Sequence, residues 1–149
     1  MSLTETINQE IKNAMLAREK DRLEALRAVK TAFTLARTEK SAGSVLTDEE
    51  ELKIIQKLVK QRKDSADIYK EQGRDDLYDK EVIEMEVIKV FMPAQMDEQE
   101  IKAFLENLIK ELGAESMKDM GKVMGAASKA LAGKADGKII SVLVRELLG

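Results

Sequence analysis

Apolar residues recur along this chain at spacings of three and four, the mark of helices that bury one face, and polar capping signals punctuate them. Ser2-Leu3-Thr4-Glu5 reads as a capping box, in which a hydroxyl accepts from backbone N–H groups and the glutamate reaches back. It opens a helix with Leu3, Ile7, Ile11, Ala14 and Met15 on one face. Asp21 is placed to cap a second helix carrying Leu23, Leu26, Val29 and Phe33 and fading near Lys40. Ser41-Ala42-Gly43-Ser44 reads as a loop, and Thr47-Asp48-Glu49-Glu50 as a second capping box, opening a long helix that stops at Gly73.

A fourth helix runs from about Asp75 to Met92 and must end before Pro93, because the residue preceding proline avoids the α region. Asp97 caps a fifth, with Ile101, Phe104, Leu105, Leu108 and Leu112 on its face and Gly113 at its end. The sixth is expected over Met117 to Ala132 and the seventh over Asp136 to Leu148. The expected fold is all-α and multihelical. Pro93-Ala94-Gln95-Met96 divides it into a four-helix subdomain, residues 1–93, and a three-helix bundle, residues 94–149.

Two faces break the simple pattern. On the third helix Arg62 falls inside the apolar stripe of Leu52, Ile55, Leu58, Val59, Ala66 and Tyr69, and on the fourth Glu84 lies among Leu77, Ile88 and Phe91. Helices joined by a short turn pack antiparallel, so Arg62 and Glu84 are expected to meet as a partly buried ion pair. A buried charge without a partner is very costly, which favours that reading over Glu84 as a tuned general acid or base. The fourth helix is also apolar nearly all round (Val82, Ile83, Met85, Val87, Val90, Met92), which places it at the centre of its bundle or against the second subdomain. The acidic runs Asp48–Glu51 and Asp75-Asp76 read as first-turn residues that complement helix dipoles rather than as metal ligands.

Composition narrows the chemistry. Aromatic residues make up 3% of the 149 residues, tryptophan is absent, and the one proline is Pro93, a balance that suits helices over strands. A chain of this length buries roughly 68–70% of its unfolded surface. No apolar run approaches the ~18 residues of a membrane span and no signal-peptide pattern is present, so a soluble, cytoplasmic protein is expected. There is no cysteine and no histidine. That removes thiolate nucleophiles, Ser-His and Cys-His machinery, and imidazole or thiolate metal sites. No catalytic residue, metal site or cofactor is expected.

Charge then separates the end of the chain from the rest. The formal net charge is −3, yet Met117 to Gly149 holds six basic residues (Lys118, Lys122, Lys129, Lys134, Lys138, Arg145) against Asp119, Asp136 and Glu146. At about 100° per residue Lys118, Lys122 and Lys129 fall within about 40° of one another. Met120, Val123, Met124, Ala127 and Leu131 lie opposite, as core. A strip of small residues, Gly121, Gly125, Ser128 and Ala132, runs beside the lysines. It serves close helix packing, or room for a nucleic-acid backbone, or both. On the seventh helix Lys138, Ser141 and Arg145 share a face, Ile139, Ile140, Leu143, Val144 and Leu147 form the buried side, and Lys134 sits in the turn between the helices. None of the three Gly-Lys pairs follows a glycine at P-loop spacing. A basic face on an acidic chain points to an anionic partner.

These residues carry a resemblance. Met120-Gly121-Lys122-Val123-Met124-Gly125, Gly133-Lys134-Ala135-Asp136-Gly137 and the run Ile139 to Leu147 resemble the C-terminal tail shared by the GatB subunit of the tRNA-dependent amidotransferase and the YqeY family. Upstream, Lys60-Gln61-Arg62-Lys63-Asp64-Ser65 and Val90-Phe91-Met92-Pro93-Ala94-Gln95-Met96 are similar to YqeY-type segments, so effectively the whole chain is covered. The resemblance implies a four-helix and a three-helix subdomain. It also implies a non-catalytic tRNA-affinity module, because the glutamine-dependent carbon–nitrogen ligase chemistry of the amidotransferase belongs to its other parts, and a similar module is appended to some glutaminyl-tRNA synthetases. Where the GatB turn often has Asn-Pro, this chain has Asp136-Gly137.

The expected partner is tRNA, met through phosphate contacts from Lys118, Lys122, Lys129, Lys134, Lys138 and Arg145. The alternative is a protein-interaction module that docks on an amidotransferase, an aminoacyl-tRNA synthetase or another partner without binding RNA itself. Charge reversal of the lysines separates the two.

Overall fold

The computed structural model describes residues 2–41 and 43–149, so Ala42 of the expected loop lies outside the described residues. Among these the chain forms seven α-helices, one short 3₁₀ turn and no strand. The helices are α1 (Leu3–Leu16), α2 (Lys20–Lys40), α3 (Asp48–Glu71), α4 (Asp75–Lys89), α5 (Glu98–Leu112), α6 (Met120–Ala130) and α7 (Gly137–Leu148), with the 3₁₀ turn at Met117–Asp119. The chain divides into two compact units between Met92 and Pro93, the first holding α1–α4 and the second α5–α7.

In the first unit the capping chemistry acts where the local sequence calls for it. Ser2 and Thr47 each accept from the backbone N–H three residues on, while Glu5 and Glu50 reach back to the cap residue. α3 ends in a Schellman turn, with Gly73 at φ +71°, its N–H donating to Lys70 and the Arg74 N–H donating to Tyr69. α1 ends with the same hydrogen-bond pattern, but Arg18 occupies the left-handed position, at φ 57°.

α3 packs most extensively on α4, and α2 packs on α1 and α4. Their shared core is built from Ile7, Leu26, Val29, Phe33, Ile55 and Ile88, each 0–1% exposed. Four expectations need correction. Asp21 lies inside the first turn of α2, whose N-cap is Glu19 with no side-chain cap bond. Met15 is 53% exposed rather than core, because it falls on the far side of Ala14 from the bundle. α4 stops at Lys89, and Val90 to Met92 form a tighter turn ahead of Pro93. Finally, Ile83 on α4 and Val90 just beyond its end are exposed, since α2 and α3 cover only part of the helix.

Two buried polar groups shape this unit. Glu51 is 1% exposed, and its carboxylate accepts from both the Thr4 N–H (2.8 Å) and the Thr4 hydroxyl (2.7 Å). It therefore ties the start of α1 to the start of α3, instead of serving only as a first-turn acid. Arg62 and Glu84 face each other from α3 and α4 with side chains 15% and 14% exposed and Nε to Oε2 at 3.9 Å. Arg62 Nη1 donates to the Leu58 carbonyl, while its buried Nε has no hydrogen-bond partner. The pair is electrostatic and not hydrogen-bonded.

Burial pushes the Glu84 carboxyl above its usual value; Arg62 opposes that, Glu81 adds to it, Lys80 opposes and Glu24 adds. A group that binds protons more tightly in the native state stabilises it below the unfolded pKa, and that advantage is lost as pH rises through the folded pKa. Glu84→Gln lacks this titration. Its stability relative to the wild type therefore rises between about pH 4 and pH 7, as urea unfolding at the two pH values reads directly. A difference independent of pH would show that Glu84 is not perturbed by burial.

Candidate nucleic-acid interface

The second unit is small, and its three helices turn most of their apolar residues toward one another. Asp97 caps α5 by accepting from the Glu100 N–H at 2.8 Å, and Gly113 closes it in the left-handed conformation. Ile101 and Leu105 of α5, Val123 and Ala127 of α6, and Leu143 and Val144 of α7 form the core. The entry segment is pinned to the α6–α7 turn. Met96 N–H donates to the Lys134 carbonyl at 3.0 Å, and Gln95 Nε2 donates to the Gly133 carbonyl at 2.7 Å. With those faces fixed inward, the basic residues of α6 and α7 have only the outward side left.

Lys118, Lys122, Lys129, Lys134, Lys138 and Arg145 are all exposed. On α6, Lys122 and Lys129 stand two turns apart and about 20° from alignment, opposite the buried Val123 and Ala127; Lys138 and Arg145 repeat the arrangement on α7. Lys118 departs from the expected helical alignment, since Met117–Asp119 is a 3₁₀ turn and the 100° count does not run through it. That turn has its own capping box. Ser116 Oγ accepts from the Lys118 N–H, and Asp119 Oδ2 accepts from the Glu115 and Ser116 N–H groups. Those backbone donors, with Lys122 adding to them, hold the Asp119 carboxyl below its usual value.

Lys122 is partly committed. Its Nζ donates to the Leu112 carbonyl at 3.3 Å, so its cation sits at the C-terminal end of α5, where positive charge is favoured. Asp136 is the N-cap of α7, accepting from the Lys138 N–H at 2.9 Å. The negative charge that marks this turn thus serves the helix start.

The two readings of the glycine strip now separate. Gly121 and Gly125 are exposed, and a Cβ built on either meets nothing within 4 Å. Close packing within the chain is therefore not what they serve, and they leave bare backbone beside Lys122 and Lys129. Gly125→Ala, in a helix interior with free space, raises stability by about 0.5–1 kcal/mol, measurable by urea unfolding. A loss of stability would mean that something in the folded chain fills that space.

Ile139 is 43% exposed, not buried as its place in the pattern implied, and Val142 is 52% exposed. α5 and α6 cover only the Ile140–Val144 side of α7, and Ile139 lies about 100° away from it. With Glu98, Lys138 and Leu143 these two residues line a shallow groove that the sequence alone did not signal. Among the described residues no group of three or more acids is gathered where a metal could sit, and no helix is long and apolar enough to cross a membrane.

A family profile described as Yqey-like protein matches residues 4–148. Three curated relatives carry the name "Altered inheritance of mitochondria protein 41, mitochondrial". The one from Pyrenophora tritici-repentis is 27% identical over 96% of this chain and 79% of its own length. The one from Clavispora lusitaniae is 32% identical over 76% of this chain and 66% of its own. In Eremothecium gossypii the identity is 35%, over 59% of this chain and 48% of that protein. The relatives' mitochondrial names overturn the expected cytoplasmic location. That expectation rested on the absence of an apolar span and of a signal-peptide pattern, and neither absence tells one aqueous compartment from another.

Proposed function

The chain belongs to the YqeY-like family, and from that premise we propose that it is a non-catalytic accessory module that binds tRNA through the outward face of α6 and α7. The observation that carries this reading is the placement of five exposed cations on and between two short helices, with Lys118 on the turn just before them, while the buried sides of both helices form the core. The bare glycine backbone between Lys122 and Lys129 adds room for a phosphate backbone to approach. Long, flexible ammonium groups neutralise phosphates without reading bases, and the unit has no tryptophan or tyrosine to stack on. Such a face reads the shape and charge of an RNA, not its sequence. Lack of cysteine and histidine supports the non-catalytic part of the proposal.

A second reading, docking on an amidotransferase or an aminoacyl-tRNA synthetase, is favoured by one observation, the exposed Ile139 and Val142 beside Lys138. Binding of labelled tRNA across a salt series tests the first. Each phosphate contact contributes roughly 0.7–0.9 to the slope of log K against log salt, so the expected slope is about three or more. No binding to any tRNA at low salt would sink the RNA reading and leave the docking one.

A further inference from the structure

A second basic surface lies on α3, in the other unit, and the α6–α7 reading leaves it unused. From Lys53 to Lys63 the helix holds Lys53, Lys57, Lys60, Arg62 and Lys63 and no acid, while Asp48–Glu51 precede and Asp64 and Asp67 follow. At about 100° per residue the four lysines fall within an arc of about 120°, turned away from the buried Ile55 and Ala66. All four are exposed, whereas Arg62 turns inward to Glu84. A rise of about 1.5 Å per residue spreads them over about 15 Å, about one cation for each helical turn.

We propose that this α3 stripe is a second surface for an RNA phosphate backbone, an inference that rests on the RNA-binding reading above. The chemistry of the stripe separates it from other anionic partners. Binding to a bilayer surface needs an apolar face to bury among the lipids, and the apolar side of α3 is already committed to Ile7, Phe33 and Ile88 within its own unit. A stable protein interface needs a desolvated apolar or aromatic centre, and no large hydrophobic residue is exposed between Lys53 and Lys63. What remains is a row of exposed cations on a rigid helix, which suits a polyanion whose charges repeat along its length.

The test uses the whole chain, unfractionated tRNA and a salt series, with two separate variants. One replaces Lys57 and Lys63 by Gln; Lys53 is kept because it holds an ion pair with Glu49 at 3.1 Å, and Lys60 because it too has a polar partner. The other replaces Lys129, Lys138 and Arg145 by Gln. The α3 variant is expected to lower the salt slope by about 1.5, with unchanged melting, and the corresponding Lys→Arg variant to restore it. A slope that the α3 variant leaves untouched while the α6–α7 variant lowers it overturns the α3 surface alone. The reverse pattern overturns the α6–α7 reading and upholds α3. A wild type that does not bind tRNA overturns both. Loss of binding to phosphatidylserine vesicles with an unchanged tRNA slope would assign the stripe to membranes and contradict the proposal.

Discussion

Glu51→Ala is expected to destabilise the first unit by about 3 kcal/mol. The carboxylate is 1% exposed and accepts two hydrogen bonds from Thr4, at 2.8 and 2.7 Å. Bonds to a charged acceptor are worth roughly 1.5–3 kcal/mol, and removal of the acceptor leaves the Thr4 N–H and hydroxyl without it in a part-buried place. One of those donors belongs to the first turn of α1, where helix N–H groups have no partner within the helix. Ser2 meets the N–H of Glu5, and Glu51 meets that of Thr4. The desolvation of a buried carboxylate works against this gain, but alanine leaves a void rather than a packed replacement. Glu51→Gln, which keeps one carbonyl acceptor and the volume, should lose less. Urea unfolding of the three proteins gives the answer. A loss below about 1 kcal/mol for Glu51→Ala would show that the clasp is incidental to stability.

The caps of α1, α3 and α5 were legible because their chemistry is local. Ser2, Thr47 and Asp97 accept from a backbone donor three residues away, and the pattern is visible within four letters. The end of α1 was not legible, because Arg18 takes the left-handed position that sequence reading assigns to glycine. Such a residue costs roughly 1–2 kcal/mol, set against the hydrogen bonds of that turn and the packing of α1 on α2. Glu51 was hidden for a different reason. In the run Asp48-Glu49-Glu50-Glu51 each acid looks like a first-turn residue, and only the arrival of Thr4 from 47 positions away distinguishes the fourth.

The candidate face was legible in its residues and less so in its geometry. Counting charge from Met117 onward finds the six cations, and the helical period places Lys122 with Lys129 and Lys138 with Arg145. The 3₁₀ turn that moves Lys118 off the stripe could not be read from periodicity, nor could the use of Lys122 as a cation for the last turn of α5. Exposure of Ile139 was missed because a three-helix unit has too few neighbours to cover a wide apolar arc. A pattern of hydrophobic letters shows which face is apolar without showing how much of it finds a partner.

The second large effect is on binding. Loss of Lys129, Lys138 and Arg145 removes three cations that no helix cap requires, unlike Lys122. At about 0.7 per contact, counterion release makes the loss of three contacts worth roughly fifty-fold in tRNA affinity at physiological salt. Stability should scarcely change, since exposed cations contribute little to it. Affinity for tRNA of wild type and Lys129→Gln/Lys138→Gln/Arg145→Gln across one salt series, with melting curves alongside, decides whether this face holds RNA. A slope lower by about two to three, a roughly fifty-fold weaker complex and the same melting temperature are expected. Equal affinity and equal slope for the two proteins would contradict that expectation and turn attention to the groove at Ile139 and Val142.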